Sequence, residues 1–203
     1  RVMVAIIDYD AGNIKSVEKA VALLGHEFLL TRDRDEILSS DHVILPGVGA
    51  FGDAMEKLHR YGLVSVIGEV VQKKIPFLGI CLGLQLMFES SEEAPGVEGL
   101  GLLPGKILRI PDKEGLKIPH IGWNSLTFPN QGRLFQGIAE NAYVYFVHSY
   151  YLQADDPQIV KAAAAYGTLI HASVERDNLF ACQFHPEKSS ETGLKILQNF
   201  LEV

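Results

Sequence analysis

Two hydrophobic periods alternate through the first half of the chain. Residues 2–7 form an unbroken apolar run of strand length, which stops at Asp8 and gives way to the turn-rich Asp8-Tyr9-Asp10-Ala11-Gly12-Asn13. Ile14, Val17, Val21 and Leu24 then recur at helical spacing, with Asn13 as N-cap and Gly25 as stop. Residues 28–30 read as a second strand and 33–38 as a helical turn. His42–Leu45 reads as a third strand, running into Pro46-Gly47-Val48-Gly49. Helical patterns cover residues 53–60 and 64–72, and the apolar run 75–80 leads directly into Cys81. Strands that are apolar on both faces and separated by helices predict βαβ units, hence a parallel sheet covered on each side.

The second half changes character. Between residues 92 and 129 lie the loop signals Ala94-Pro95-Gly96, Pro104-Gly105 and Pro119, with short β-like pieces such as 106–110. Residues 142–147, 159–164, 171–174 and 179–184 read as strands, and a closing helix over 189–201 carries Leu194, Ile196, Leu197 and Phe200. No internal repeat, low-complexity tract or linker interrupts the pattern. The expected fold is α/β: a doubly wound, mostly parallel sheet with helices on both faces and additional antiparallel strands in the C-terminal half. It is expected to form a single domain over residues 1–203.

Composition narrows the function. With 203 residues and 47% hydrophobic content, the chain can bury a core without disulfide or metal. A formal net charge of −7 argues against a general nucleic-acid binder and against a polybasic membrane anchor. Two cysteines, Cys81 and Cys182, are too few for a disulfide framework and fit a reducing cytosol. The first apolar run is too short for a signal-peptide core, and no segment approaches the ~18 apolar residues of a membrane span. A soluble, cytoplasmic protein is expected.

The sharpest local feature is Gly79-Ile80-Cys81-Leu82-Gly83, preceded by a strand and followed by the helical 84–89. This is the G-x-nucleophile-x-G pattern of a nucleophile elbow, whose glycines make room for a tight strand-to-helix turn. Such a turn lifts the sulfur out at the carboxyl end of the sheet. It also leaves the Leu82 N–H to donate to an oxyanion and sets a helix N-terminus beside the thiolate. Taken alone, the pattern also fits a small buried cysteine at a strand end. A thiol of pKa about 8.5 needs a base. His185 follows the apolar strand 179–184 and opens His185-Pro186-Glu187. Residues two apart in an extended segment share a side, so Glu187 can reach and orient the imidazole. Cys81, His185 and Glu187 therefore form a candidate triad.

Gly47-Val48-Gly49-Ala50-Phe51-Gly52 spells G-x-G-x-x-G, with Glu69 about the expected distance beyond. It follows the third strand rather than the first βα turn, where the dinucleotide fingerprint belongs. A loop there has another use: its backbone N–H groups can supply a second oxyanion donor. His148 fits a core or strand-end histidine as well as a site residue, and Cys182 reads as core. His26, His42, His59 and His171 lack ligand spacing. No C-x-x-C, H-E-x-x-H or phosphate-loop motif is present, so no metal or cofactor is expected.

These residues carry a resemblance. Residues 77–85 together with Gln183-Phe184-His185-Pro186-Glu187 resemble the class I (triad-type) glutamine amidotransferases. Pro46-Gly47-Val48-Gly49, residues 91–96, Pro119-His120-Ile121-Gly122-Trp123-Asn124, residues 145–150 and Lys188-Ser189 resemble one branch of them, the glutaminase subunits of imidazole glycerol phosphate synthase, which serve histidine biosynthesis. The likeness runs from Asp8 to the closing helix. Asp10 stands where many relatives have glycine, which requires a positive φ, and Leu84 stands for the usual methionine.

The resemblance implies that Cys81 attacks the carboxamide of glutamine, with His185 as general base and then acid. Leu82 and a residue of the glycine loop (Val48 or Gly49) would hold the oxyanion, and Gln85, Glu93, His148, Ser149 and Tyr150 would position glutamine. Ammonia loses its nucleophilicity once protonated in bulk water, so the acceptor chemistry is expected on a partner, a (β/α)8-barrel cyclase subunit. His120, Trp123, Asn124 and Lys188 are the interface residues the resemblance suggests. The competing expectations are an amidotransferase subunit of another pathway, a stand-alone γ-glutamyl cysteine hydrolase, and a dinucleotide-binding module.

Overall fold

Strand β1 (Met3–Ile7) sends Val4 and Ile6 into one apolar cluster and Ala5 and Ile7 into another, all of them buried. This is the burial that a strand apolar at every position requires. The computed structural model describes residues 2–203. After β1 come α1 (Lys15–Leu23), β2 (Glu27–Thr31), α2 (Arg34–Leu38), β3 (His42–Leu45), α3 (Phe51–Arg60), α4 (Leu63–Gln72), β4 (Phe77–Ile80) and the short α5 (Leu82–Leu86). There follow β5 (Ser90–Ser91), β6 (Gly105–Arg109), β7 (His120–Ser125), β8 (Tyr143–His148), β9 (Tyr150–Ala154), β10 (Val160–Ala165), β11 (Leu169–Arg176), β12 (Leu179–Cys182) and α6 (Ser190–Leu201).

Seven strands form the main sheet in the order β10-β11-β12-β4-β3-β1-β2. From β12 to β2 all pairings are parallel, and β10 and β11 add antiparallel to the β12 side. Helices α2, α3 and α4 cover one face together with β6 and β9, while α1, α6 and β8 cover the other. The α/β class, the parallel centre and the late antiparallel strands are those expected from the pattern. No helix among the described residues is long and apolar enough to cross a membrane.

Three local readings differ from the structure. Asn13 does not cap α1: it sits at φ +63, and Ile14 takes the cap position with no side-chain bond. Asparagine tolerates the left-handed region, and the chain uses it to turn rather than to cap. Helix α5 stops at Leu86 because the amide of Glu89 is drawn onto the Gly105 carbonyl (3.1 Å), which carries the chain into the small β5-β6-β9 sheet. Strands β7 and β9 have no signal in the hydrophobic pattern. β7 pairs with β8 as a two-stranded ribbon whose Ile121 and Trp123 stay exposed.

Helix α6 lies against the turn after β12 with no side chain between them. A Cβ at Gly193 would come within 1.8 Å of the Pro186 carbonyl oxygen. Gly193→Ala should destabilise the chain by about 1–3 kcal/mol through overpacking, a loss of roughly 2–4 °C in melting temperature per kcal/mol at this length. A thermal melt measures it, and an unchanged transition would show that the turn yields freely.

Candidate active site

Strands β3, β4 and β12 are parallel neighbours, with Leu45 opposite Gly79 and Ile80 opposite Cys182. Whatever follows each strand therefore emerges at one edge of the sheet, where ligands of open α/β sheets bind. The segment 46–49 follows β3, Cys81 follows β4, and residues 183–187 follow β12.

Cys81 sits at φ +56, ψ −112, a conformation unusual for a residue bearing a side chain. The flanking glycines make the turn sterically possible. A Cβ at Gly79 would lie 2.7 Å from the Gly83 carbonyl oxygen, and one at Gly83 would lie 2.0 Å from the Leu45 carbonyl oxygen. The Cys81 N–H donates to the Cys182 carbonyl at 2.8 Å, which ties the elbow to the neighbouring strand. Its sulfur lies 3.7 Å from Gln183 Nε2 and 3.8 Å from the Val147 carbonyl oxygen. With α5 only five residues long, the helix dipole contributes through its first-turn amides alone.

His185 Nδ1 and Glu187 Oε2 are 2.8 Å apart, with both side chains buried. The bond places the Nδ1 proton toward the carboxylate, and His185 Nε2 is left buried without a hydrogen-bond partner. Burial works against protonating this imidazole, yet its pKa is raised, because interaction with Cys81 and with the Glu187 carboxylate outweighs desolvation. Ser189 fixes the turn: its hydroxyl donates to the His185 carbonyl at 2.6 Å and accepts from the Tyr145 N–H at 2.9 Å. The other cysteine has no such company. Burial pushes the Cys182 thiol up to about 12, against a weaker opposing bond from Ser173, so it packs as core.

The glycine loop does not present the open pair of amides expected from the sequence. The Leu82 N–H, expected to be free for an oxyanion, donates to the Gly47 carbonyl at 3.2 Å. The loop is fixed at its base. Buried Tyr9 donates from its hydroxyl to the Pro46 carbonyl at 2.5 Å, and a Cβ at Gly47 would meet that hydroxyl at 2.1 Å. Burial, and then the charge of Cys81, raise the Tyr9 pKa and keep it a donor. Farther along, Val48 is exposed and Gly49 adopts φ +109. Glu69, at the spacing of a ribose-binding carboxylate, is instead paired with Arg34 at 2.7 Å. Asp10 has the positive φ its position requires, +65, and its carboxylate takes bonds from Arg32 and Tyr61.

A cavity of about 280 Å³ opens at this edge, lined by Val48, Gly49, Cys81, Leu82, Gln85, Glu93, Val147, His148, Ser149 and Tyr150. Every residue that the resemblance suggested for glutamine thus faces one space. Glu93 is already partly engaged, since its Oε1 accepts from the Phe51 N–H at the start of α3 (2.9 Å). A larger groove of about 630 Å³ runs along residues 128–136, with Arg133 already paired to Glu175 at 2.9 Å, and includes none of these residues.

The four suggested interface residues separate. Trp123 is half exposed on the β7–β8 ribbon, and Asn124 and Lys188 are partly exposed. His120 is not a surface residue. It is buried, stacked between Phe146 and Tyr166, and bonded through Nδ1 to His148 Nε2 at 3.0 Å. Alternation along β7 turns Trp123 outward and His120 inward. Exposed Ile121 and Tyr143 lie on the same ribbon as Trp123, and with Tyr9 and Gln183 they were missed in the sequence. Strand alternation would have pointed to Ile121 and Tyr143, had β7 been read as a strand.

A family model described as "Glutamine amidotransferase class-I" matches residues 5–203. The chain is 51% identical over 200 residues to imidazole glycerol phosphate synthase subunit HisH of Moorella thermoacetica, covering 98% of this chain and 94% of that protein. To the protein of the same name from Methanocaldococcus jannaschii it is 47% identical over 201 residues, covering 99% and 100%. Among solved structures, one titled "Structure of PurLQS from Thermotoga maritima" superposes with TM-score 0.77 at 21% identity, over 98% of this chain and 97% of the other. One titled "Crystal structure of glutamine amidotransferase" does so with TM-score 0.76 at 19% identity, over 98% and 97%.

Burial depresses the pKa of His120 and of His148 from 6.5 to about 4, the latter helped by the neighbouring imidazoles against its bond to Tyr150. Groups lowered on folding contribute stability above pH 6.5 and lose it as pH falls toward about 4. His185, raised on folding, has the opposite sign: its contribution is complete below 6.5 and fades as pH rises through its folded value. Melting temperature should therefore fall between pH 6.5 and about 4, and His120→Phe should flatten that decline. An equally steep decline in the variant would locate its origin elsewhere.

Proposed function

The chain belongs to the class I glutamine amidotransferase family, and from that premise we propose that it is the glutaminase subunit of an imidazole glycerol phosphate synthase, working in histidine biosynthesis. The observation that carries this reading is local. An imidazole oriented by a buried carboxylate leaves its Nε2 unpartnered beside an elbow cysteine, and the cavity there is of a size and polarity suited to a small amino-acid amide. The identity of about 50% to the HisH subunits supports the pathway.

In the proposed reaction, the proton of the pair rests on His185 and the charge on Cys81. The thiolate adds to the δ-carbonyl of glutamine, and the carbonyl oxygen becomes an oxyanion. His185 then gives its proton to the leaving nitrogen, ammonia departs, and a γ-glutamyl thioester remains on Cys81. Water, deprotonated by His185, attacks the thioester, the Cys81 thiolate leaves, and glutamate departs with the thiolate–imidazolium pair restored. Glu187 keeps the imidazole in the tautomer that needs no rearrangement between these steps. Glu93, with one oxygen free of Phe51, meets the ammonium of glutamine, while Gln85 and residues 148–150 line its other end. The oxyanion falls to the amides of Leu82 and of Val48 or Gly49. With the Leu82 amide engaged by Gly47, hydrolysis by the chain alone is slow.

Ammonia is then consumed on a (β/α)8-barrel cyclase subunit, which completes a cytoplasmic heterodimer with overall lyase chemistry. Its docking face on this chain is the outer side of the β7–β8 ribbon, where Ile121, Trp123 and Tyr143 are exposed and Trp123 packs edge-on against Tyr145. Asn124 lies on the other side of the ribbon, its NH2 group on the Ala165 carbonyl at 3.0 Å, and is not part of that face.

Glutamate release from glutamine by the purified chain, with and without the cyclase subunit and its nucleotide ligand, tests the reading. Release should rise on adding the partner, fall to background in Cys81→Ala, and drop about 10²–10⁴-fold in His185→Asn. Turnover indifferent to the partner would mean a different pathway, and release that survives Cys81→Ala would remove the nucleophile. For the docking face, Trp123→Ala should weaken subunit association by tenfold or more, the loss expected of a central aromatic anchor. Titration calorimetry reads it, and unchanged affinity would place the interface elsewhere.

A further inference from the structure

Gln183 has no exposure to solvent, and a carboxamide in such a place is costly unless its polar atoms are bonded. Its Oε1 accepts from Gln85 Nε2 at 3.0 Å, and its Nε2 donates to the Cys81 sulfur at 3.7 Å. The sense of these bonds is dictated from outside. The Tyr150 carbonyl oxygen can only accept, and it takes bonds from Gln85 Nε2 at 3.1 Å and His148 Nδ1 at 2.8 Å. The NH2 group of Gln85 therefore faces inward, Gln183 must meet it with oxygen, and the Gln183 NH2 group is left to face the sulfur. The far end agrees. The Ser125 N–H donates to Asn124 Oδ1 at 2.8 Å, which turns the Asn124 NH2 group to His120 Nε2 at 3.4 Å. His120 then donates from Nδ1 to His148 Nε2 at 3.0 Å, leaving His148 to donate from Nδ1.

We infer that Gln183 is a positioning residue for the nucleophile: held in one orientation by Gln85 and the Tyr150 carbonyl, its NH2 group favours the Cys81 thiolate over the thiol. A donor aimed at an ionisable group stabilises the charged form. Were the carboxamide reversed, its oxygen would oppose the thiolate. This inference rests on the glutaminase reading of Cys81. Other titratable groups around the sulfur are His185 with Glu187 behind it after β12, Tyr9 after β1, and Glu93 and His148, which line the same cavity. None of them is altered in the test.

Alkylation of the full chain by iodoacetamide, followed from about pH 5 to pH 10 and assigned to Cys81 by peptide mass spectrometry, reads the thiolate directly. In Gln183→Met, which keeps the volume and removes the donor, the midpoint should rise by about one pH unit and the neutral-pH rate fall about tenfold. In the glutaminase assay, kcat should fall with little change in KM. An unshifted midpoint overturns the inference. Should that variant not fold, Gln85→Met frees the carboxamide to reverse, and the same upward shift, smaller, is expected; no shift overturns the inference there too. Wild-type chain that still hydrolyses glutamine after alkylation at Cys81 overturns Cys81 as the nucleophile, the reading on which the inference rests. Hydrolysis lost on alkylation, with no shift in either variant, overturns the role of Gln183 alone.

Discussion

At the end of β4 the backbone must reverse within one residue while two carbonyl groups stand where side chains would otherwise be. A Cβ at Gly83 would overlap the Leu45 carbonyl oxygen at 2.0 Å, and one at Gly79 would press on the Gly83 carbonyl at 2.7 Å. Bare backbone at both positions lets Cys81 adopt its unusual conformation, and the sulfur's placement follows from it. The same contact sets the distance between α5 and the end of β3, and hence where the loop 46–49 begins. The Cys81 N–H bond to the Cys182 carbonyl joins the turn to β12, and β12 delivers Gln183 and His185. One steric requirement thus fixes Cys81, the loop and His185 relative to one another, before any of their own interactions is counted.

Charge is managed by neighbours more than by exposure. Cys81 and Cys182 are both buried and linked by a backbone bond, yet only Cys81 has an imidazole and a carboxamide NH2 group beside its sulfur. Cys182 has a weak bond to Ser173, and burial keeps it protonated. Cys81 has the unpartnered side of an imidazole whose other nitrogen is held by Glu187. A carboxylate buried beside that imidazole would be destabilising by itself. Its bond to Nδ1 turns it into a fixed counter-charge, which is how a low-dielectric site keeps a proton on histidine without exposing it to water.

What the sequence discloses about such a site depends on how local each interaction is. The elbow occupies five consecutive residues and the base with its orienting carboxylate three, so both stand out as short patterns. The central strands are legible because β1, β3 and β4 are apolar at nearly every position, while β7, with Gly122 and Asn124 in its interior, carries no period. Bonds between distant segments leave no such trace. Gln183 lies 98 positions from Gln85 and 102 from Cys81, so although it opens the motif that contains His185, no local spacing assigns it a role of its own. Likewise, the motif containing His120 suggested a surface role for all its polar members. Pairing of β7 with β8 sets His120 opposite His148 and buries it.

If the chain is the glutaminase subunit proposed, the engaged Leu82 amide would make its turnover depend on a second chain. Loss of one oxyanion donor typically costs about 2.7–4 kcal/mol of transition-state stabilisation, enough to slow hydrolysis by two to three orders of magnitude. The Gly47 carbonyl holds that donor, and Gly47 itself has little freedom, packed beneath the Tyr9 hydroxyl. Freedom lies farther along the loop, at exposed Val48 and at Gly49, whose φ of +109 a residue with a side chain would rarely adopt. The loop is thus rigid where it meets the elbow and adaptable where it meets solvent. On the proposed reading, such an arrangement would keep Cys81 in place while withholding one oxyanion donor, with the adaptable part of the loop at exposed Val48 and Gly49.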